Sequence, residues 1–267
     1  MPKLIDIGAN LTHESFSKDF DEVTQRALEA GVSRILLTGT DLESSRTAQR
    51  LSASNNEVFS CTAGLHPHLA SAWDTCAEEI KRLCEYDEVV AVGECGLDFN
   101  RNFSPRDAQI YAFEQQLEVA QEIGKPVFLH QRESHETFYP ILKAKRAGLA
   151  GGVVHCFTDS REALEDYLNL DMHIGITGWV CDERRGHDLQ NIVKYIPLNR
   201  LLIETDAPYL LPRTLKPKPK SRRNEPCYLS EVVTALAEHM GRNFDEIAQY
   251  STENALRLFG LENKQKT

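Results

Sequence analysis

The residues able to do chemistry stand at the ends of apolar runs. VVAVGECG, from Val89, ends in Glu94, and PVFLHQ, from Pro126, carries His130. GVVHCF, from Gly152, contains His155, LLIETDAP, from Leu201, contains Asp206, and VFSCTAGLH, from Val58, ends on His66 with His68 just beyond it. A buried, unpaired carboxylate is costly, so Glu94 at the end of a buried strand should have a partner. Taken singly, each residue has a plain structural reading. Glu94 could pair with Arg132, Asp206 could cap the turn into Ala207-Pro208, and a lone strand-end histidine is more often structural than a ligand. Two imidazoles and two carboxylates meeting at one place are another matter, because that mixture suits an exchangeable divalent cation. Such an ion polarises an acyl or phosphoryl oxygen and acidifies water, with Asp206 a candidate to take the proton and Glu94 a candidate to bridge two ions. Hydrolysis is the expected reaction class.

The elements that must position these residues repeat along the chain. The remaining bursts are LIDIGAN from Leu4, RILLTGT from Arg34 and MHIGITGW from Met172, making eight strand candidates with starts 20 to 37 residues apart. Met172 to Trp179 is the weakest of them, because it contains two glycines. Helical periods lie between the bursts. In Asp107 to Ile123, Ile110, Phe113, Leu117, Ala120 and Ile123 form one stripe before Gly124. Ser230 to Met240 and Asn243 to Phe259 supply closing helices. Strands alternating with helices imply right-handed βαβ units, and eight of them fit a closed (β/α)8 TIM barrel in a single domain over 1–267. A barrel of this kind gathers every strand end at one mouth, where catalytic groups sit.

Composition narrows the setting. No run of about 18 apolar residues occurs, so no membrane span is expected, and MPKLIDIGANL lacks the apolar core of an export signal. Seven cysteines without a CxxC pair point to a reducing cytoplasm, and Cys61, Cys95 and Cys156 read as small hydrophobes. Net charge is −10 and pI about 5.4, which argues against a broad nucleic-acid coat. One stretch runs against that acidity: Arg213 to Arg223 holds six cations and no acid, and CDERRG adds Arg184 and Arg185. A solvated loop is the plain reading, but beside a metal-binding mouth a phosphodiester backbone is the better guess. Trp179, Phe99, Phe103 and Tyr209 are candidates to stack on bases.

VGECGLDFNRN, PVFLHQRES, VVHCFT, GITGWVCDERRG and IETDAPYLLPR, followed by PKPKSRRNEP, resemble the TatD family of metal-dependent deoxyribonucleases, from Asp6 to the C-terminal helix. The resemblance implies a barrel related to the metal-dependent hydrolases. It also implies Mg2+-dependent hydrolysis of DNA, as a 3′→5′ exonuclease preferring single strands and accepting some RNA, in processing damaged or fragmented nucleic acid. On the matching motifs, Glu94, His130 and His155 would be metal ligands and Asp206 a ligand or base. His66, His68 and Arg132 would lie at the substrate rim, with Asn10, Arg184, Arg185, Arg222 and Arg223 as further candidate contacts.

Many relatives carry Asp-x-His-x-His at the end of the first strand. Here DIGAN puts Gly8 and Asn10 at those positions; Gly8 cannot ligate and Asn10 offers only an amide oxygen. One ion at Glu94, His130 and His155 is therefore expected, with a second, weaker site near Asp206 and Asp6, and Mg2+ or Mn2+ favoured over Zn2+. The expected protein is a cytoplasmic monomer acting on single-stranded DNA. The competing readings are a metal-dependent amidohydrolase or esterase for a small molecule, and a non-catalytic nucleic-acid-binding barrel. The cationic loop speaks against the small molecule.

Overall fold

The computed structural model describes residues 3–261. Eight strands pair in sequence order, all parallel: β1 (Leu4–Ala9), β2 (Val32–Leu37), β3 (Phe59–Ala63), β4 (Val89–Asp98), β5 (Val127–Arg132), β6 (Gly152–Val154), β7 (His173–Ile176) and β8 (Leu201–Ile203). A parallel bridge between Ala9 and Ala207 nearly closes the barrel, supported by Asn10 N donating to Ala207 O at 2.7 Å and Asp206 N to Gly8 O at 2.8 Å. β7 is shorter than the apolar run around it. Thr177 leaves the ladder to cap a 3-10 turn over Gly178–Cys181, its hydroxyl accepting from Trp179 N.

The helices are α1 (Phe20–Glu29), α2 (Leu42–Ser54), α3 (Trp73–Cys84), α4 (Arg106–Ile123), α5 (His135–Lys145), α6 (Arg161–Asn169), α7 (His187–Ile192), α8 (Leu229–Met240) and α9 (Phe244–Leu258). In α4 the anticipated stripe is real. Phe113, Leu117 and Ala120 are buried, Ile110 and Ile123 flank them half-buried, and Gly124 ends the helix in the left-handed region. Among the described residues no helix is long and apolar enough to cross a membrane.

Strand residues divide between two apolar clusters because alternate side chains face opposite sides of a sheet. The larger cluster, with Ile35, Leu37, Val92, Leu129, Val154 and Ile174, joins the sheet to its helices. The smaller takes Ile5, Ile7, Leu36, Ala91, Phe128, Val153 and Leu202, and the end of α9 joins it through Ala255, Phe259 and Leu261. The strands are thereby anchored on both faces, leaving their C-terminal ends to carry polar groups at fixed positions.

Candidate metal centre

β4 is the longest strand, and its glycines decide where its carboxylates go. Gly93 and Gly96 have φ of 141° and 145°, and a Cβ on either would collide with the backbone carbonyl of Phe128 or His130. Only glycine allows β4 so close to β5 in this conformation. The β4–β5 register slips between Val92 and Cys95, and Glu94, its amide bonded to Gly39 O at 2.8 Å, meets the histidines of neighbouring strands.

Glu94 is 5% exposed, and three imidazoles face one of its oxygens. Oε1 lies 2.8 Å from His130 Nδ1, 2.8 Å from His155 Nε2 and 3.3 Å from His66 Nε2. Burial alone would raise this carboxyl. The charges of His155 and His66 and hydrogen bonds from His130 and His155 outweigh it and hold Glu94 well below the usual range. Burial likewise opposes charge on the imidazoles. For His155 the carboxylates of Glu94 and Glu204 reverse the effect and push it well above its ordinary value, and for His130 the neighbouring carboxylates of Asp98 and Glu94 raise it in the same direction. His66 stays depressed by burial. Arg132 is not the partner of Glu94.

Ligand atoms of His66, Glu94 and His130 all lie within 4.8 Å of one another. His130 Nε2 is buried and has no hydrogen-bond partner. Crowded imidazoles around a shared carboxylate fit a divalent cation. His66, expected at the substrate rim, stands inside this trio instead.

A further carboxylate supports the cluster, one that the sequence reading does not single out. Glu204, fully buried, sets Oε2 3.3 Å from His155 Nδ1 and accepts from Cys156 N at Oε1, 2.5 Å. A carboxylate on the outer nitrogen of a ligating imidazole fixes its tautomer and orientation. The signal is the E of ETD, overshadowed by its neighbour. Asp206 accepts from Asn10 Nδ2 at 3.0 Å, and burial raises its carboxyl to about 7. Asp6, expected near a second ion, has both oxygens engaged by the chain itself. It accepts from Gly8 N and Thr205 N at Oδ1 and from Thr205 Oγ1 at Oδ2, so it ties the barrel seam, and burial raises it to about 7.

The cluster opens into a cavity of about 1060 Å³. Of the candidates, Asn10, His66, His68, Glu94, His130, Arg132, His155, Arg185 and Asp206 line it, while Arg184, Arg222 and Arg223 do not. Phe103 and Tyr209, 67% and 52% exposed, stand on its rim with Trp179, which carries the Arg185 guanidinium 4.7 Å above its ring. Phe99 is buried outside it, under Arg106. The cationic loop is less free than its composition implies. Arg213 pairs with Glu183 at 2.8 Å, and Arg223 with Asp19 and Glu225 at 2.6 and 2.8 Å. Lys216, Lys218, Lys220 and Arg222 make no ion pair among the described residues. Cys95 is buried among apolar residues, and burial pushes its thiol up.

A nearly closed eight-stranded parallel barrel whose strand ends gather imidazoles and carboxylates defines a hydrolase of the metal-dependent barrel class. Comparison with known proteins narrows the class. Residues 5–260 match the model described as TatD related DNase. A protein of Erwinia amylovora named 3′-5′ ssDNA/RNA exonuclease TatD is 51% identical over 259 residues, spanning 97% of this chain and 100% of that one. The solved structure of a TatD homologue from Escherichia coli K12 superposes with a TM-score of 0.86 at 30% identity, covering 96% of this chain and 98% of that one. A TatD family hydrolase from Entamoeba histolytica gives 0.87 at 29%, covering 97% and 99%. The chain belongs to the TatD family of DNases, hydrolases of phosphodiester bonds.

Proposed function

We propose that this chain removes nucleotides from the 3′ ends of single-stranded DNA and of RNA, with Mg2+ as its cation and Mn2+ or Zn2+ as substitutes, in cytoplasmic repair or degradation of nucleic acid. The observation that carries the reading is Glu94 with three imidazoles at its Oε1 in an open cavity. The names of relatives about half identical over their full length support polarity and substrate. A single barrel carries the activity and works as a monomer.

His66, Glu94 and His130 would hold the cation, with His155 beside them on Glu94. When bound, a divalent cation supplies a Lewis acid for a phosphoryl oxygen and lowers the pKa of a water. The remaining work falls to side chains of this chain. Asp206, half-buried, with Oδ1 engaged by Asn10, accepts the proton of the attacking water at Oδ2. Arg132 and Arg185 meet phosphates across the cavity, and Phe103 and Tyr209 offer faces to bases. Lys216, Lys218, Lys220 and Arg222 contact the strand further out.

The test is digestion of end-labelled single-stranded DNA with Mg2+ and then with chelator. Stepwise loss of 3′ nucleotides that chelation stops is the expected result. Intact DNA alongside hydrolysis of a small ester or amide would overturn the reading in favour of a small-molecule hydrolase.

A further inference from the structure

Asp98 ends β4 and is 1% exposed, yet the chemistry above does not use it. Its surroundings hold it unusually firmly. Gln109 clamps its backbone, accepting from Asp98 N at 2.8 Å and donating to Asp98 O at 3.2 Å. Oδ1 accepts from Asn100 N and Arg101 N, at 3.0 and 2.8 Å, and so folds the turn that presents Phe103. Oδ2 is left facing two imidazoles. His68 Nε2 is 2.8 Å away, and His130 Nε2, the orphaned nitrogen, is 3.6 Å away. His68 lies edge-on to Phe103, with ring centroids 4.7 Å apart, on the rim of the cavity.

A buried N–H with no acceptor carries a desolvation cost, and Asp98 Oδ2 is the carboxylate oxygen beside it. His130 is drawn the other way, its Nδ1 held by Glu94 at 2.8 Å. With Glu94 and His130 Nδ1 both given to a bound cation that pull would be gone, and Asp98 Oδ2, 3.6 Å away, is the acceptor within reach of Nε2–H.

We infer that Asp98 is a positioning residue: its Oδ2 receives the Nε2–H of His130 so that Nδ1 points its lone pair at the cation, while the same oxygen holds His68 against Phe103 at the substrate rim. One carboxylate thereby joins the cation site to the surface that meets the nucleic acid. The inference rests on the cation site of the proposed function. It adds a residue whose effect passes through His130 and His68, neither of which it replaces.

The probe is Mn2+ binding by calorimetry to the full chain, with Asp98→Asn and His68→Ala, alongside nitrogen-15 imidazole NMR of the Mg2+-loaded protein. In the wild type His130 should carry its proton on Nε2, with the downfield proton shift of a bond to carboxylate. Asp98→Asn, nearly isosteric, should lose that signature and weaken Mn2+ by about 10- to 100-fold, the usual cost of losing an outer carboxylate on a ligating histidine. His68→Ala should keep Mn2+ affinity within about twofold and raise KM for single-stranded DNA, a split that general loosening would not produce. Unchanged Mn2+ affinity in Asp98→Asn, or a loaded wild type with the His130 proton on Nδ1, would overturn the inference. Should Asp98→Asn not fold, the wild-type spectrum still decides it. A wild type that binds no Mn2+ would instead remove the proposed function, a separate and recognisable failure.

Discussion

Two histidines, one half-buried at the mouth of the barrel and one buried at its floor, each have a buried ring nitrogen without a hydrogen-bond partner. His130 sits at the C-terminal end of β5 and His173 begins β7 at the opposite end. Their neighbours differ in sign. Around His130 the carboxylates of Asp98 and Glu94 overcome burial and raise its affinity for a proton. Around His173 burial and the guanidinium groups of Arg200 and Arg257 depress the imidazole to about 4. Incomplete bonding alone therefore does not mark a ligand. What separates the two is the charge the surroundings are built to receive: a cation at the mouth, a neutral ring at the floor.

The largest effect that would break this contrast is at the mouth. Glu94→Gln keeps the shape and removes the charge, and should lower exonuclease activity by several kcal/mol of barrier, about three orders of magnitude, with circular dichroism unchanged. Activity within tenfold of wild type would mean that the carboxylate among the imidazoles is structural. At the floor the effect is on stability and has a defined direction. The unfolded chain protonates His173 near 6.5 and the folded chain only near 4, so stability rises with pH between those values and is lost as acid is added. The full span corresponds to at most about 3 kcal/mol. Urea unfolding of His173→Leu, compared with wild type near neutrality and again in mild acid, should show a smaller acid loss in the variant. Parallel losses would place the charge sensitivity elsewhere. Smallest is the outer loop: Lys216, Lys218 and Lys220 to Ala together should raise KM and flatten the salt dependence of binding, by about 0.7 in log–log slope for each phosphate that is no longer neutralised. An unaltered slope would return the loop to plain solvation.

The strands are readable because each is an apolar run, and the ends of such runs are where a barrel exposes chemistry. Glu94, His130, His155 and Asp206 are singled out that way, and the fold brings all four to one cavity. Which carboxylates point where is not readable, because it depends on the positive φ of Gly93 and Gly96 and on a register slip that alternation does not encode. Hence sequence reasoning sets His66 too far out and passes over Glu204. The cationic loop is overcounted for a related reason. Arg213 finds Glu183 and Arg223 finds Asp19 through the fold, and no local count of charge anticipates such pairs.

Gly8 leaves a space at the end of β1, and Glu204 has moved into it. A Cβ at position 8 would lie 2.5 Å from Glu204 Oε2 and 3.1 Å from the Phe128 ring. That carboxylate is also held from the other side, its second oxygen accepting from Cys156 N. The two positions are thus coupled: a side chain at position 8 would require Glu204 or the Phe128 ring to shift, and removing Glu204 would leave His155 without its orienting partner.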